Sequence, residues 1–370
     1  MLRIGPIAVD PPVVLAPMAG ITNGPFRRLC REYGAGLYVS EMIGARGLVE
    51  GDPKTRELAR FGSDEKPRSI QLYGTDPGSI SDAVAFLVEG EHVDHIDMNF
   101  GCPMGKVTRH GGGAALPWKI GLYSAIVTAA VAAAGSVPVT VKFRKGIDER
   151  HLTYLDAGRM AADAGASAVA LHARTAAQLY SGEADWAAIA RLKEALPELP
   201  VLGNGNIWTA EDAVSMIAAT GCDGVVVGRG CLGRPWLFRD LADIFAGRER
   251  LTPPSLGEVA KTMFRHAELL VEQFGEKLGI NLFRKHPSWY LKGFPAGPEL
   301  RDALARVSSL YELETLLSRL DPEVPFPEGA HRMIRGHSHG PRAVRLPHGF
   351  LDNRQGDRLG REAELVVSGG

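Results

Sequence analysis

Eight short apolar runs, separated by longer Ala-rich amphipathic stretches, restrict this chain more than any other feature. The runs are Val13–Ala16, Leu37–Ser40, Arg68–Leu72, His95–Asn99, Val137–Phe143, Ala168–His172, Val201–Asn204 and Gly224–Gly228. Between them, segments such as Ser79–Glu89, Tyr123–Ala134, Tyr154–Asp163, Trp186–Ala195 and Ala210–Thr220 repeat their apolar residues at helical spacing. Continuous apolar runs alternating with helices describe strands buried on both faces, hence a parallel sheet. Eight such units predict a closed TIM (β/α)8 barrel, because an open dinucleotide-binding sheet would carry G-x-G-x-x-G after its first strand and this chain does not.

The pattern changes after Phe245. Leu251-Thr252-Pro253-Pro254 reads as a linker, and Leu256–Phe274, Asn281–Lys292 and Pro298–Arg319 are amphipathic with no strand between them. The expected organisation is a barrel over 1–248, an all-helical domain over 249–321 and an irregular or disordered tail over 322–370. Within that tail, residues 331–348 hold four Arg, four His and no acid. A formal net charge of -1 removes any global nucleic-acid signature and leaves only local basic faces. The four cysteines form no C-x-x-C pair or His-partnered metal spacing, so no metal site is expected and a reducing cytosol suits them. The chain reaches its first strand with no charged-then-apolar leader, and no apolar run approaches a membrane span. The expectation is a soluble, cytoplasmic monomer with no membrane contact.

In a barrel, chemistry sits at the C-terminal ends of the strands. Read in order, those ends are Pro17-Met18-Ala19-Gly20, Glu41, Gln71, Asn99 with Cys102, Lys142 with Arg144, His172 with Arg174, Asn204-Gly205-Asn206 and Gly228-Arg229-Gly230. Lys142 and Arg144 alternate with Val141 and Phe143, so both cations share one face, and a barrel strand has no solvated edge on which to place them. Gly-rich turns after the last two strands are a recurrent phosphate cradle. A phosphate at that end, a flat ring over the mouth and Lys142 beside a ring atom that becomes negative together fit flavin mononucleotide (FMN). Cys102, on a mobile loop across the mouth, suits a proton donor more than a nucleophile.

These motifs resemble one family. Leu15-Ala16-Pro17-Met18-Ala19-Gly20-Ile21-Thr22, Ser40-Glu41-Met42, Asp97-Met98-Asn99-Phe100-Gly101-Cys102-Pro103, Val141-Lys142-Phe143-Arg144, His172-Ala173-Arg174-Thr175 and Gly228-Arg229-Gly230 are similar to those of the tRNA-dihydrouridine synthases, the bacterial B type above all. The similarity runs from about residue 4 to 320 and includes Arg284-Lys285-His286-Pro287-Ser288-Trp289-Tyr290. The resemblance implies FMN-dependent, NADPH-consuming reduction of a uracil C5–C6 double bond in tRNA. Pro17, Met18, Ala19, Gln71, Lys142, His172, Asn204, Gly205, Gly228 and Arg229 would hold FMN. Cys102 would protonate C5, and Asn99, Arg144 and Arg174 would hold the base. Lys106, Arg109, Arg284 and Lys285 would meet tRNA phosphates. The alternatives are a barrel reductase of free pyrimidines, which has no use for 255–320, and a non-catalytic RNA-binding barrel, which has none for Cys102 and Lys142. Two positions depart from the family pattern. Asn206 stands where members carry Asp, and Ala173 where they carry Gly, adding a methyl that would crowd a bound base if it faced the mouth.

Overall fold

The computed structural model describes residues 1–34, 36–336, 340–356 and 359. An antiparallel hairpin, β1 (Leu2–Ile4) and β2 (Ile7–Val9), precedes eight strands. These are β3 (Val13–Leu15), β4 (Leu37–Gly44), β5 (Ser69–Tyr73), β6 (His95–Phe100), β7 (Val139–Arg144), β8 (Ala168–His172), β9 (Val201–Asn204) and β10 (Gly224–Val227). Neighbours pair in parallel, and β10 returns to β3 with Val225 opposite Val13 and Val227 opposite Leu15. The sheet is therefore the closed barrel that the eight runs predict.

The alternation of side chains divides the barrel into two environments. Val13, Ile70, Met98, Val141, Leu171 and Val227 point outward and join the core beneath the surrounding helices. Each such buried side chain contributes roughly 1.5–3 kcal/mol. Inside, Val14, Val39, Ala170, Leu202 and Val226 pack with Leu2, Ile4 and Val9 of the hairpin, which stoppers the N-terminal end. The opposite wall, from β5 to β7, is polar within: Ser69, Gln71, His95, Asp97 and Thr140 are all buried.

The helical region comprises helices Leu256–Phe274, Glu276–Phe283, Pro287–Tyr290, Pro298–Arg306 and Leu310–Leu317. Of the three runs read from the sequence, Leu256–Phe274 is one helix, whereas Asn281–Lys292 and Pro298–Arg319 are each divided. Pro287 cannot continue the turn begun upstream, and Ser309 starts a new helix by accepting from the Glu312 amide at 3.1 Å. The first helix is held by a capping box between Ser255 and Glu258. These helices share a core of Val259, Met263, Leu270, Phe283 and Leu313. They meet the barrel along helix Gly24–Arg31, where Tyr33 Oη and Thr262 Oγ1 lie 2.7 Å apart and Arg28 pairs with Glu272 at 3.1 Å. Among the described residues, no helix is long and apolar enough to cross a membrane.

Beyond residue 322 the backbone is largely irregular, with short 3-10 turns at Ala330–Arg332 and Phe350–Asp352. It is nonetheless anchored. Phe350 is buried against Ala115 and Ile147, and Arg335 is buried as well. The described residues of 323–336 and 340–356 are irregular, one of the two states expected for this tail, and are docked on the barrel. Val344, Leu346, Phe350 and Leu351 pack there. His337, His339 and the chain beyond Leu359 lie outside the described residues.

Candidate active site

The polar wall rises toward the mouth as a continuous hydrogen-bond ladder. Ser69 Oγ lies 2.7 Å from His95 Nδ1, and His95 Nε2 lies 2.9 Å from Thr140 Oγ1. Thr140 donates to Asp97 Oδ1 at 2.6 Å, so its oxygen accepts from His95, which assigns the Nε2–H tautomer. Burial keeps His95 neutral, with its pKa lowered to about 3. Gln71 Nε2 donates to Asp97 Oδ2 at 2.7 Å, and Asn99 Nδ2 donates to Gln71 Oε1 at 2.6 Å. Asn99 Oδ1 then accepts from the amides of Gly101 and Cys102 at 3.0 and 3.1 Å. The ladder ends on the turn that carries the thiol.

Cys102 is half-buried and free. Burial raises its pKa; the Met104 amide, Arg144 and Lys106 pull the other way without cancelling it. The group is therefore a protonated thiol at neutral pH. The Ala114 amide donates to its carbonyl at 3.0 Å, so the loop expected to be mobile is tied at several points.

At the same mouth, the ends of β7, β8 and β10 gather Lys142, Arg144, His172, Arg174 and Arg229. Burial lowers Lys142 to about 8, although Asp97 below it opposes the shift. Burial, then the surrounding cations, holds His172 well below the usual imidazole range. Lys142 Nζ donates to Asn204 Oδ1 at 3.2 Å, and Asn204 Nδ2 donates to the Val226 carbonyl at 2.7 Å. Gly205, at φ +130°, is tightly packed: a Cβ there would lie 2.7 Å from the Ala184 Cβ and 3.5 Å from Arg174 Nη1 and His172 Cδ2, so only glycine brings the backbone this close to them. Arg174 Nη1 is buried with no hydrogen-bond partner, an orphaned donor beside that backbone. The tip of β3 closes the other flank, with Ala16 and Met18 next to Gly228. Pro17 is half-buried and Ala19 is exposed at the rim.

Several predicted roles change with the geometry. Arg144 is buried and donates to three backbone carbonyls, Gly101 at 2.9 Å, Thr175 at 3.0 Å and Leu179 at 2.8 Å. It ties the loops after β6 and β8 to the end of β7. Arg284 turns into the helical region, donating to the Val307 carbonyl at 2.8 Å and to Asn281. Its neighbour Lys285 points the other way and donates to the Gly20 carbonyl, beside buried Glu41, which accepts from the Gly20 amide at 2.7 Å. Lys106 and Arg109 are exposed on the short helix Gly105–Thr108 and its cap, just past Cys102. Ala173 faces the outer core, so its methyl does not enter the mouth. Asn206 accepts from Arg174 and donates to Glu183, a bridge that an Asp, lacking a donor, would not make.

Sequence reasoning passed over Asp97, Tyr180 and Trp208. Arg229 lies 4.4 Å from the centre of the Tyr180 ring and 5.4 Å from that of Trp208. Asp97 shares the inward face with Asn99 two residues on, a period that would have revealed it. Tyr180 sits eight residues past the end of β8, where no periodicity applies.

A closed parallel barrel whose C-terminal mouth gathers buried cations, an unpartnered guanidinium N–H and a neutral thiol has the layout of a barrel enzyme. The dihydrouridine synthase family profile matches residues 14–323. A protein of Mycobacterium tuberculosis named "Probable tRNA-dihydrouridine synthase" is 55% identical over 379 residues, covering 100% of this chain and 97% of its own. A like-named protein of Mycobacterium leprae is 53% identical, covering 96% of this chain and 100% of its own. "tRNA-dihydrouridine synthase B" of Xanthomonas axonopodis pv. citri is 39% identical, covering 83% of this chain and 92% of its own. This chain belongs to the dihydrouridine synthase family.

Proposed function

We propose that the enzyme reduces the C5–C6 double bond of uridines in tRNA, with FMN as its bound cofactor, NADPH as reductant and Cys102 as the acid. The observation that carries this reading is a protonated thiol and a cluster of buried cations at one barrel mouth. The names of the relatives support tRNA as the substrate. The orphaned Arg174 donor, with the Gly205 backbone beside it, fits a phosphate, and the buried Lys142 fits a ring that gains negative charge.

Within that reading, His172, Arg174, Gly205, Gly228 and Arg229 hold the phosphate end, and Pro17, Met18, Ala19, Gln71, Lys142 and Asn204 border the ring. Bound FMN, recharged by NADPH, supplies the hydride to C6 of the uracil. Cys102 gives its proton to C5 as the S–H bond breaks and the C5–H bond forms, and solvent reprotonates the sulfur after product leaves. Asn99 aims the turn that carries the thiol, and Arg144 keeps the surrounding loops in place. A base inside folded RNA must be extruded to reach this depth. Lys106, Arg109 and Lys285 stand at the rim to meet the flanking phosphates, and the helices of 249–321 extend that surface. The absence of disulfides among the free cysteines suits a cytosolic enzyme.

The test is mass-spectrometric mapping of dihydrouridine in tRNA from a strain lacking its own synthases. The wild-type chain should restore the modification. Cys102→Ala should slow it by about 10²–10⁴-fold while NADPH still reduces the bound flavin. A wild-type chain that leaves every position unmodified would sink the proposal, and turnover of free uracil would move the reading to pyrimidine reduction.

A further inference from the structure

Beyond residue 322, the described stretches 323–336 and 340–356 lie as a strap across the face that carries the site. Gly336 lies against Arg229 and Leu232, in the loop after β10. Six residues on, the Arg342 amide donates to the Ala177 carbonyl at 2.9 Å, in the loop after β8. Val344, Leu346 and Leu351 then bound a cavity of about 420 Å³ with Ile147 and Asp148, from the loop after β7. Arg345 passes over Gly105, where a Cβ would lie 3.8 Å from its Cδ, on the short helix that follows Cys102. The far end is fastened beside that same loop. Phe350 fills the space next to Gly111, with the Lys119 ammonium 4.7 Å from its ring centre. Arg354 pairs with Asp156 at 2.7 Å and lies 4.5 Å from the centre of the Trp118 ring. The strap thus touches, in turn, the loops after β10, β8, β7 and β6.

Its charge is one-sided. No acid occurs between residues 331 and 348. Arg342 and Arg345 are exposed, and neither forms an ion pair with the described residues. Arg345 crosses the helix that bears Lys106 and precedes Arg109, so the three cations make one track along the mouth. Anchoring at Phe350 and Arg354 fixes the backbone beneath these arginines before any partner arrives, which lowers the ordering cost of binding.

We propose that the strap is an RNA-binding element: Arg342 and Arg345 receive the phosphates that flank the extruded base. This rests on the reading of the site as a tRNA-modifying one. A strap whose residues 331–348 hold four Arg and no acid, at the rim of a pocket that takes in one nucleotide of a folded chain, matches a polyanion passing across that rim. The strap also lies outside residues 14–323, the part of the chain that the family profile matches.

The experiment compares the wild type, Arg342→Ala/Arg345→Ala and Arg342→Lys/Arg345→Lys in the full-length flavin-loaded enzyme. It reads KM for tRNA and tRNA binding at stepped KCl. The alanine pair should raise KM about tenfold and flatten the log–log salt dependence by about 1.5, as expected for two lost phosphate contacts. The lysine pair should restore most of both, because phosphate accepts either point charge. Flavin reduction by NADPH in the absence of tRNA should be the same in all three. Unchanged KM and salt slope in the alanine pair overturn the proposal, as does a lysine pair as weak as the alanine pair. Failure of the wild type to make dihydrouridine is a separate result, which strikes the parent reading instead.

Discussion

Cys102, just past β6, and Lys142, on the neighbouring β7, share the mouth, and burial biases each toward its neutral form. For the thiol this preserves the proton to be delivered. For the amine it sets a limit at alkaline pH, because Lys142 titrates near 8 and holds its charge only below that value. Only the protonated form stabilises a negative ring edge, so FMN affinity should be constant at low pH and fall as pH rises through about 8, approaching tenfold per unit. Lys142→Met should bind weakly and without that step. Fluorescence titration of FMN into apoprotein from pH 6.5 to 9.5 checks both, and an identical fall in the Met variant would remove Lys142 from the site. Arg144 shows how burial redirects a residue of the same charge: three carbonyls, one from the loop after β6 and two from the loop after β8, take its N–H groups. Those carbonyls come from Gly101, Thr175 and Leu179, which no spacing relates, so the sequence carries no trace of the clamp.

At the scale of elements, the strand period does most of the explanatory work. Residues two apart on β6 and β7 turn the same way, and so the ladder from Thr140 through Asp97 to Asn99 can form inside the barrel. Asn99 is its last member and the acceptor for two amides of the thiol turn. Asn99→Ala should therefore free that turn, slowing dihydrouridine formation about 10–100-fold while leaving flavin bound, since a misplaced acid loses most of its advantage. The informative readout is alkylation of Cys102 by iodoacetamide, which should speed up several-fold; an unchanged rate would show that the turn holds without Asn99. Asn99→Asp keeps the acceptor and should recover part of the loss. The eight strands were legible because buried parallel strands are unbroken apolar runs, and the inward placement of Lys142 followed from alternation alone. The β1–β2 hairpin was not legible, because strands of three residues are too short to show a period. The division of the helical runs was only half visible. Pro287 announces its break, whereas the gap at Val307–Ser309 depends on a serine cap that looks like any polar helix residue.

At the scale of the whole molecule, barrel and helical region meet at one unusually close point. Gly233, with φ +63°, sits where a Cβ would overlap the backbone of Trp289 and Tyr290. Gly233→Ala should force the two apart, lowering apparent Tm by several degrees and weakening tRNA turnover more than FMN binding. Gly247→Ala is the control, because Gly247 has φ +67° with nothing within 4 Å of the added methyl. If both variants lose the same amount, backbone strain alone explains the effect and the seam is not involved.

The pairing that closes the barrel joins β3 to β10, Val13 to Val225, across about 200 residues of chain. On a ribosome the first barrel strand emerges early and then has no second neighbour until nearly two thirds of the protein has been made. The hairpin ahead of it gives its apolar side chains an early local partner during that wait. The strap comes out after both the barrel and the helical region, so in a protein assembled in order of synthesis it is laid over a mouth that has already formed.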